Sequence, residues 1–451
     1  MPPKKPPPKK TPKKQASKQN PPPPPPKQPQ KEDKSPIDLS PVPIPLQQLL
    51  LNTFKSALLP TIHPATNPPE DQEHQDLKSR IQTLKSHLYN RDFASAFTDA
   101  EEAALSAYAL RWSAARALGY VGVFRGVVKF LLGLDCLPRE GKRGRVVCVG
   151  GGAGAEIVAL AAVWRDLFHQ CQGQSGGGNQ SESERQKGIE EGVRDVSLDE
   201  TGGIDEEWPN ADIDVDVTAV DIADWSSVVH RLSAAIRSPD VPALRSCPAP
   251  LLPGSGTRTG TGTGTEGEGR RVGGEVKVDF KRADVLNLSD QEFKGLFPGP
   301  GTGGANTSEP QSTVLVTLMF TLNELFSTSM AKATGFLLRL TDSLQAGTVL
   351  LVVDSPGSYS TLKLGGQGSS KGKEGEDTAI TEQPRKERQY PMKFLLDHTL
   401  LSVAKGKWEK VLSQDSRWWR REAARLSYDV GEGAGLEDMR FQLHVYRRLD
   451  G

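Results

Sequence analysis

Short apolar runs of strand length alternate along this chain with longer stretches whose apolar residues recur at helical spacing. Runs at 146–149, 215–221, 276–286, 313–320 and 348–354 read as strands, the first, a short β-branched run, as a buried parallel one; those at 215–221 and 276–286 are broken by charged residues and each carries an acid at or just beyond its end. Helical patterns follow at 157–164, through Val228, Val229, Leu232 and Ile236, and over 329–344. Five strand-and-helix units in succession predict an α/β fold, a parallel sheet with helices on both faces, and 440–446 adds a late strand. Ahead of the sheet, 46–135 is helical in pattern: Leu77, Ile81, Leu84 and Leu88 share one face, and a second stripe runs through Phe93, Phe97, Ala104, Tyr108 and Trp112. The predicted organisation is a tail over 1–45, a helical region over 46–135 and a main domain over 140–451. A helical piece at 394–401 and a polar, aromatic stretch ending in Trp418 and Trp419 precede the last strand.

Composition changes this picture in the connections. With Gly 45 and Pro 34 in 451 residues, much of the chain belongs outside any core. The tail is Pro, Lys and Gln rich, and low-complexity insertions fall near 172–208, 248–275, 298–312 and 365–388, where ordering entropy has too little apolar burial to offset it; all are expected to be disordered. The formal net charge of +0 conceals a basic tail on an acidic remainder. Its lysines suit phosphate backbones or a nuclear address, or serve only as a solvated extension. Cys136, Cys148, Cys171 and Cys247 are scattered without metal-ligand spacing, so neither a disulfide framework nor a metal site is expected, and no apolar run is long enough for a membrane span.

The candidate chemistry gathers at strand ends. Gly150, Gly152 and Gly154 lie between a buried strand and a helix, a turn at which a backbone can approach a ligand and free N–H groups face an anion; a purely structural turn has the same composition. Asp221 ends the second strand and suits the two hydroxyls of a ribose, or caps a helix. Asp284, beyond the third strand, suits an adenine amino group or is a loop carboxylate. Glu156 at the helix start suits a ligand ammonium. These features together match S-adenosylmethionine. A nicotinamide dinucleotide is the rival, since Gly150, Gly152 and Ala155 meet that fingerprint too; Asp284 and the late strand shift the balance away from it. Arg111, Trp112 and Arg116 either face a nucleotide or pack in the core, and the same choice applies to Arg417, Trp418, Trp419, Arg420 and Arg421, with Lys405, Lys407 and Trp408, as a surface for single-stranded RNA.

The segments Arg111-Trp112-Ser113, Arg116-Ala117-Leu118, Val149-Gly150-Gly151-Gly152-Ala153-Gly154-Ala155-Glu156, Ala219-Val220-Asp221, Met319-Phe320-Thr321-Leu322-Asn323-Glu324-Leu325, Val353-Asp354-Ser355-Pro356-Gly357-Ser358-Tyr359 and Leu436-Glu437-Asp438-Met439-Arg440-Phe441 give the chain a resemblance to a known family. It resembles the fungal S-adenosylmethionine-dependent methyltransferases that include the 25S ribosomal RNA uridine-N3 methyltransferases, over roughly 77–449. Ala114 departs from the family, which carries proline there. The resemblance implies a Rossmann-like class I methyltransferase sheet, S-adenosyl-L-methionine as cofactor, and methyl transfer to N3 of a uridine in large-subunit ribosomal RNA or a preribosome, in the nucleus and nucleolus. N3 must lose a proton, which makes Glu324 and Asp354 candidate bases and Asn323 a candidate reader of the base edge. A methyltransferase acting on protein or a small molecule, and a cofactor-binding ribosome assembly factor without essential catalysis, remain the alternatives.

Overall fold

The computed structural model describes residues 37–62, 70–134, 137, 143–168, 213–252, 274–299, 311–357, 359–362, 388–422 and 424–450. The expectations of disorder for the first 36 residues and for the bodies of the four insertions lie outside the described residues.

A seven-stranded sheet carries the molecule. Its strands are β1 (Arg143–Val149), β2 (Asp214–Asp221), β3 (Val276–Arg282), β4 (Gln311–Met319), β5 (Val349–Asp354), β8 (Trp408–Trp419) and β9 (Met439–Arg448), in the order β3-β2-β1-β4-β5-β9-β8. The first five are parallel, while β9 enters antiparallel against β5 and β8 closes the edge. β6 (Tyr359–Leu362) and β7 (Arg388–Pro391) form a separate two-stranded hairpin flanking the fourth insertion. Strand order reverses between β1 and β4, and a crevice at the carboxyl ends of those strands is where such sheets hold ligands.

Period-two alternation divides the interior into two cores. From β1, β2, β5 and β9, Val146, Cys148, Val217, Ala219, Leu351, Leu443 and Val445 face one side; Val147, Val149, Leu350, Val352 and Tyr446 face the other. The first core is covered by α4 (Ala114–Gly133), α5 (Ala155–Phe168) and α6 (Ser226–Ala235), with α1 (Ile44–Ile62), α2 (Glu70–Tyr89) and α3 (Glu102–Tyr108) packed outside them. The second is covered by α7 (Asp290–Leu296), α8 (Leu322–Thr328), α9 (Met330–Ser343) and α10 (Met392–Asp397). The N-terminal helices therefore share one continuous core with the sheet.

Two sequence-level readings change here. The last residues assigned to the disordered tail are docked: Ile37 and Val42 are buried, because Gly122 and Gly126 of α4 leave room for the backbone at Asp38 and Leu39. The polar stretch before Trp418 is the edge strand β8, whose solvent face and two register shifts blur its alternation. Ala114 opens α4 in regular helical geometry.

Candidate functional site

The glycine turn leaves β1 with Gly150 at φ +78° and returns through Gly154 at φ +82°, both in the region that disfavours a side chain. The space beside these glycines is filled by the protein itself. A Cβ on Gly150 would strike the Thr321 side chain; on Gly152, the Trp225 indole and, at 2.9 Å, the Asp221 Cβ; on Gly154, Leu232. The expectation that the glycines clear a path for a ligand is corrected in its reason: their small size lets the ends of β1, β2 and β4 close on one another. Gly150 N–H donates to Val220 O at 2.8 Å, and Gly152 N–H to Asp221 Oδ2 at 3.3 Å.

Beside this turn lie two carboxylates, Glu156 buried and Asp221 half-buried. Asp221 also accepts from Ala223 N–H at 3.2 Å, yet burial outweighs these bonds and pushes its pKa up to about 6. Glu156, in the first turn of α5, is 3 % exposed, and burial raises it to about 7 against the pull of the Arg116 guanidinium. Its Oε1 is buried with no hydrogen-bond partner among the described residues, although the Thr317 hydroxyl, itself unmatched, is close enough to draw its pKa down. A buried, unmatched acceptor is costly unless something supplies a donor.

Across the switch point the end of β4 is strained. Phe320 sits at φ +59°, held by its N–H to Val353 O at 2.7 Å, and a non-glycine residue there persists only when its surroundings over-determine it. The turn points Thr321 back toward the glycines, where its hydroxyl lies 3.1 Å from Val149 O. It also starts α8, which carries Asn323 and Glu324. Asp354 caps that helix: Oδ2 accepts from Asn323 N–H at 3.0 Å and Oδ1 from Ser355 N–H at 2.8 Å. Burial still raises its pKa to about 6. Glu324 is raised as well, by burial first, with Arg91 and the Asn323 side chain drawing it back. Asn323 Oδ1 is a second buried acceptor without a partner among the described residues.

The sequence reading missed the support behind Asp354. Gln442 of β9 donates to Ser355 O at 2.8 Å, leaving its Oε1 to accept from His444 Nε2 at 3.0 Å, while Ser413 Oγ lies 2.9 Å from His444 Nδ1. The polarity is determined: Ser413 donates to Nδ1 and the neutral ring donates from Nε2, in keeping with a pKa lowered to about 4 by burial. This chain of bonds holds the turn that carries Asp354.

The N-terminal helices supply the wall. Phe97 and Tyr108 pack on Trp225 at ring separations of 5.8 and 5.7 Å. Arg116 donates to Tyr108 Oη at 2.8 Å and stands 4.9 Å over the Phe320 ring, between the two groups of acids. Of the residues offered either to a nucleotide or to the core, Arg111 is buried in an ion pair with Glu437 and Trp112 packs half-buried against the core, so both take the second role. Asp284 stands apart: Oδ1 accepts from Leu286 N–H at 3.0 Å and Oδ2 from the Asn287 amide at 2.5 Å, although neighbouring Ala283 N–H reaches Asp221 O at 2.8 Å. The structure thus groups Gly150, Gly152, Gly154, Glu156 and Asp221 on one side and Asn323, Glu324 and Asp354 on the other. Among the described residues no cluster of three or more His, Cys, Asp or Glu is placed to hold a metal ion, and no helix is long and apolar enough to cross a membrane.

Residues 65–447 match the family described as "Putative SAM-dependent methyltransferase". The chain belongs to this family. A curated relative, the 25S rRNA (uridine(2843)-N(3))-methyltransferase of Saccharomyces cerevisiae, is 28 % identical over 406 residues, which is 88 % of this chain and 85 % of the relative. Among solved structures, an O-methyltransferase family protein from Burkholderia thailandensis is 11 % identical over 87 % of this chain and 76 % of its own, with a TM-score of 0.30. The antibiotic-resistance methyltransferase Kmr is 13 % identical over 72 % and 93 %, with a TM-score of 0.28. This methyltransferase takes S-adenosyl-L-methionine as its cofactor, as its family does. Its residues fit that molecule: the unmet Glu156 Oε1 lacks a cationic donor, and the molecule carries an ammonium.

Proposed function

We propose that this methyltransferase modifies N3 of a uridine in large-subunit ribosomal RNA, as free RNA or within a preribosome, in the nucleolus. Two facts support the substrate: the name of the yeast relative, and the unpaired Asn323 Oδ1 beside Glu324. The second carries the reading. Uracil presents one donor on its pairing edge, the N3–H, and a buried acceptor next to a carboxylate of raised pKa is the complement of that group.

The cofactor supplies an electrophilic methyl group on a sulfonium. Glu156 would hold its ammonium and Asp221 would receive the ribose hydroxyls, while Asp284, already bonded to Leu286 and Asn287, would reach the adenine amino group only through its remaining lone pairs and from outside this grouping. On the other side Asn323 Oδ1 orients N3–H and Glu324 takes the proton, its basicity raised by burial. Asp354 fixes the start of α8 and so positions both residues. A paired base must leave its helix to reach this crevice.

The test is a map of N3-methyluridine in 25S ribosomal RNA from cells lacking the protein. One modified position is expected to vanish, to return with the wild-type gene, and to stay absent with Glu324→Gln, which is expected to lower kcat about 10²- to 10⁴-fold. An unchanged map would remove the uridine reading.

A further inference from the structure

Trp408, Trp418 and Trp419 lie on one edge strand, and the fold treats them differently. Trp408 is buried, with Nε1–H donating to Thr341 Oγ1 at 2.8 Å. Trp419 turns inward, partly buried against the first core, where Gly119 of α4 makes room for it and for Met439. Trp418 points to the opposite face and is 51 % exposed. Two guanidiniums flank its ring, Arg420 at 4.1 Å and Arg440 at 5.8 Å from the centroid. Both are tethered, Arg420 to Asp438 at 2.7 Å and Arg440 Nε to Ser416 Oγ at 2.8 Å.

The position of this cluster matters as much as its composition. Trp418 pairs in register with Arg440, and Asp354 with Gln442, so the indole stands just beyond the carboxyl end of β5 on the rim that holds Asn323 and Glu324. β8 lies two strands from β5, roughly 10 Å at ordinary strand spacing. The anchorage of Trp419 and Met439 on α4 ties the cluster to the helix that carries Arg116.

We propose that Trp418, with Arg420 and Arg440, is a stacking platform for an unpaired nucleotide of the substrate RNA close to the methylated base. An exposed indole flanked by cations serves any base through its π-face and the neighbouring phosphate through charge, which suits a flipped target in a single-stranded segment. The cost of holding two long arginines is already met by Asp438 and Ser416, so little ordering remains for binding. This rests on the RNA substrate proposed above, but its test does not depend on which uridine is modified.

The probe is a fluorescein-labelled single-stranded rU12, titrated by anisotropy into the full chain and into Trp418→Ala and Trp418→Phe, with S-adenosylmethionine affinity measured on each as a control of folding. Trp418→Ala is expected to weaken rU12 binding about tenfold, Trp418→Phe to keep most of it, and cofactor affinity to stay within about twofold. With 4-thiouridine in the probe, ultraviolet crosslinking is expected to mark the peptide that contains Trp418. Wild-type rU12 affinity in Trp418→Ala, or crosslinks confined to other segments, would overturn the platform and leave the methylation map to judge the uridine reading separately.

Discussion

Glu156 beneath the glycine turn and Asp354 at the end of β5 are both buried acids whose pKa values burial raises, and both feel the charge of Arg116. Their oxygens are treated differently. Asp354 has a backbone N–H on each oxygen and a relay of Gln442, His444 and Ser413 behind its turn. Glu156 keeps one oxygen with no partner among the described residues. A satisfied carboxylate holds a loop in place, whereas an unsatisfied one is a vacancy for a donor from outside the chain. The two sides of the rim therefore differ: on the β1–β2 side the buried acid keeps an unmatched oxygen, whereas on the β4–β5 side Asp354 is fully bonded and the unmatched acceptor is Asn323 Oδ1. Under the proposed function the first would receive the cofactor and the second the substrate.

The division breaks or sharpens under substitution. Glu156→Gln is expected to weaken S-adenosylmethionine binding by 100-fold or more, about 3 kcal/mol, because it removes one partner of a buried charge pair. Asp354→Asn is expected to leave that affinity within a few fold while lowering kcat, since it disturbs only the start of α8. Equal losses of binding in the two variants, measured by calorimetry, would erase the distinction between the halves. Gly152→Ala comes next. A Cβ there meets the Trp225 indole and Asp221, and overpacking of this kind costs about 1–3 kcal/mol, visible as a lower urea midpoint without any ligand present. If the site instead kept that space for the cofactor, stability would hold and only binding would suffer. The smallest effect belongs to Ser413→Ala, expected to cost about 1 kcal/mol of stability and to lower kcat modestly with no change in cofactor affinity.

How much of this was legible depended on how deeply each element is buried. The parallel strands β1, β4 and β5 announced themselves as apolar runs because both faces are covered, and β2 by the alternation of its valines and alanine with polar residues, ending in the acid Asp221. β8 did not: with one face to solvent and two bulges, its sequence reads as polar and aromatic coil. The site was legible in its residues but not in their use. Glycine is chosen alike for a ligand's approach and for a neighbouring side chain, and only the positions of Thr321, Trp225 and Leu232 separate the two. The Arg111–Glu437 pair joins residues at opposite ends of the chain, and the positive φ of Phe320 has no signature in an apolar run. Nor does a row of letters distinguish an acid with a free oxygen from one without.

Protons give the most direct measurement. With pKa values of about 7 and about 6, Glu156 and Asp221 are partly protonated near pH 6.5 in the cofactor-free protein. Raised acids add stability that is complete below their unfolded values near 4 and is lost as pH climbs from there to about 7, so the cofactor-free protein is expected to soften between about pH 4 and 7. A cationic, hydroxyl-bearing ligand reverses the preference and favours the ionised forms. Calorimetric titration of S-adenosylmethionine at pH 6.5, in buffers of different ionisation enthalpy, is expected to reveal release of about one proton per cofactor bound, falling sharply in Glu156→Gln, with affinity rising from pH 5.5 to 7.5. Binding that releases no proton and strengthens toward acid pH would contradict the assignment of the cofactor to these two carboxylates.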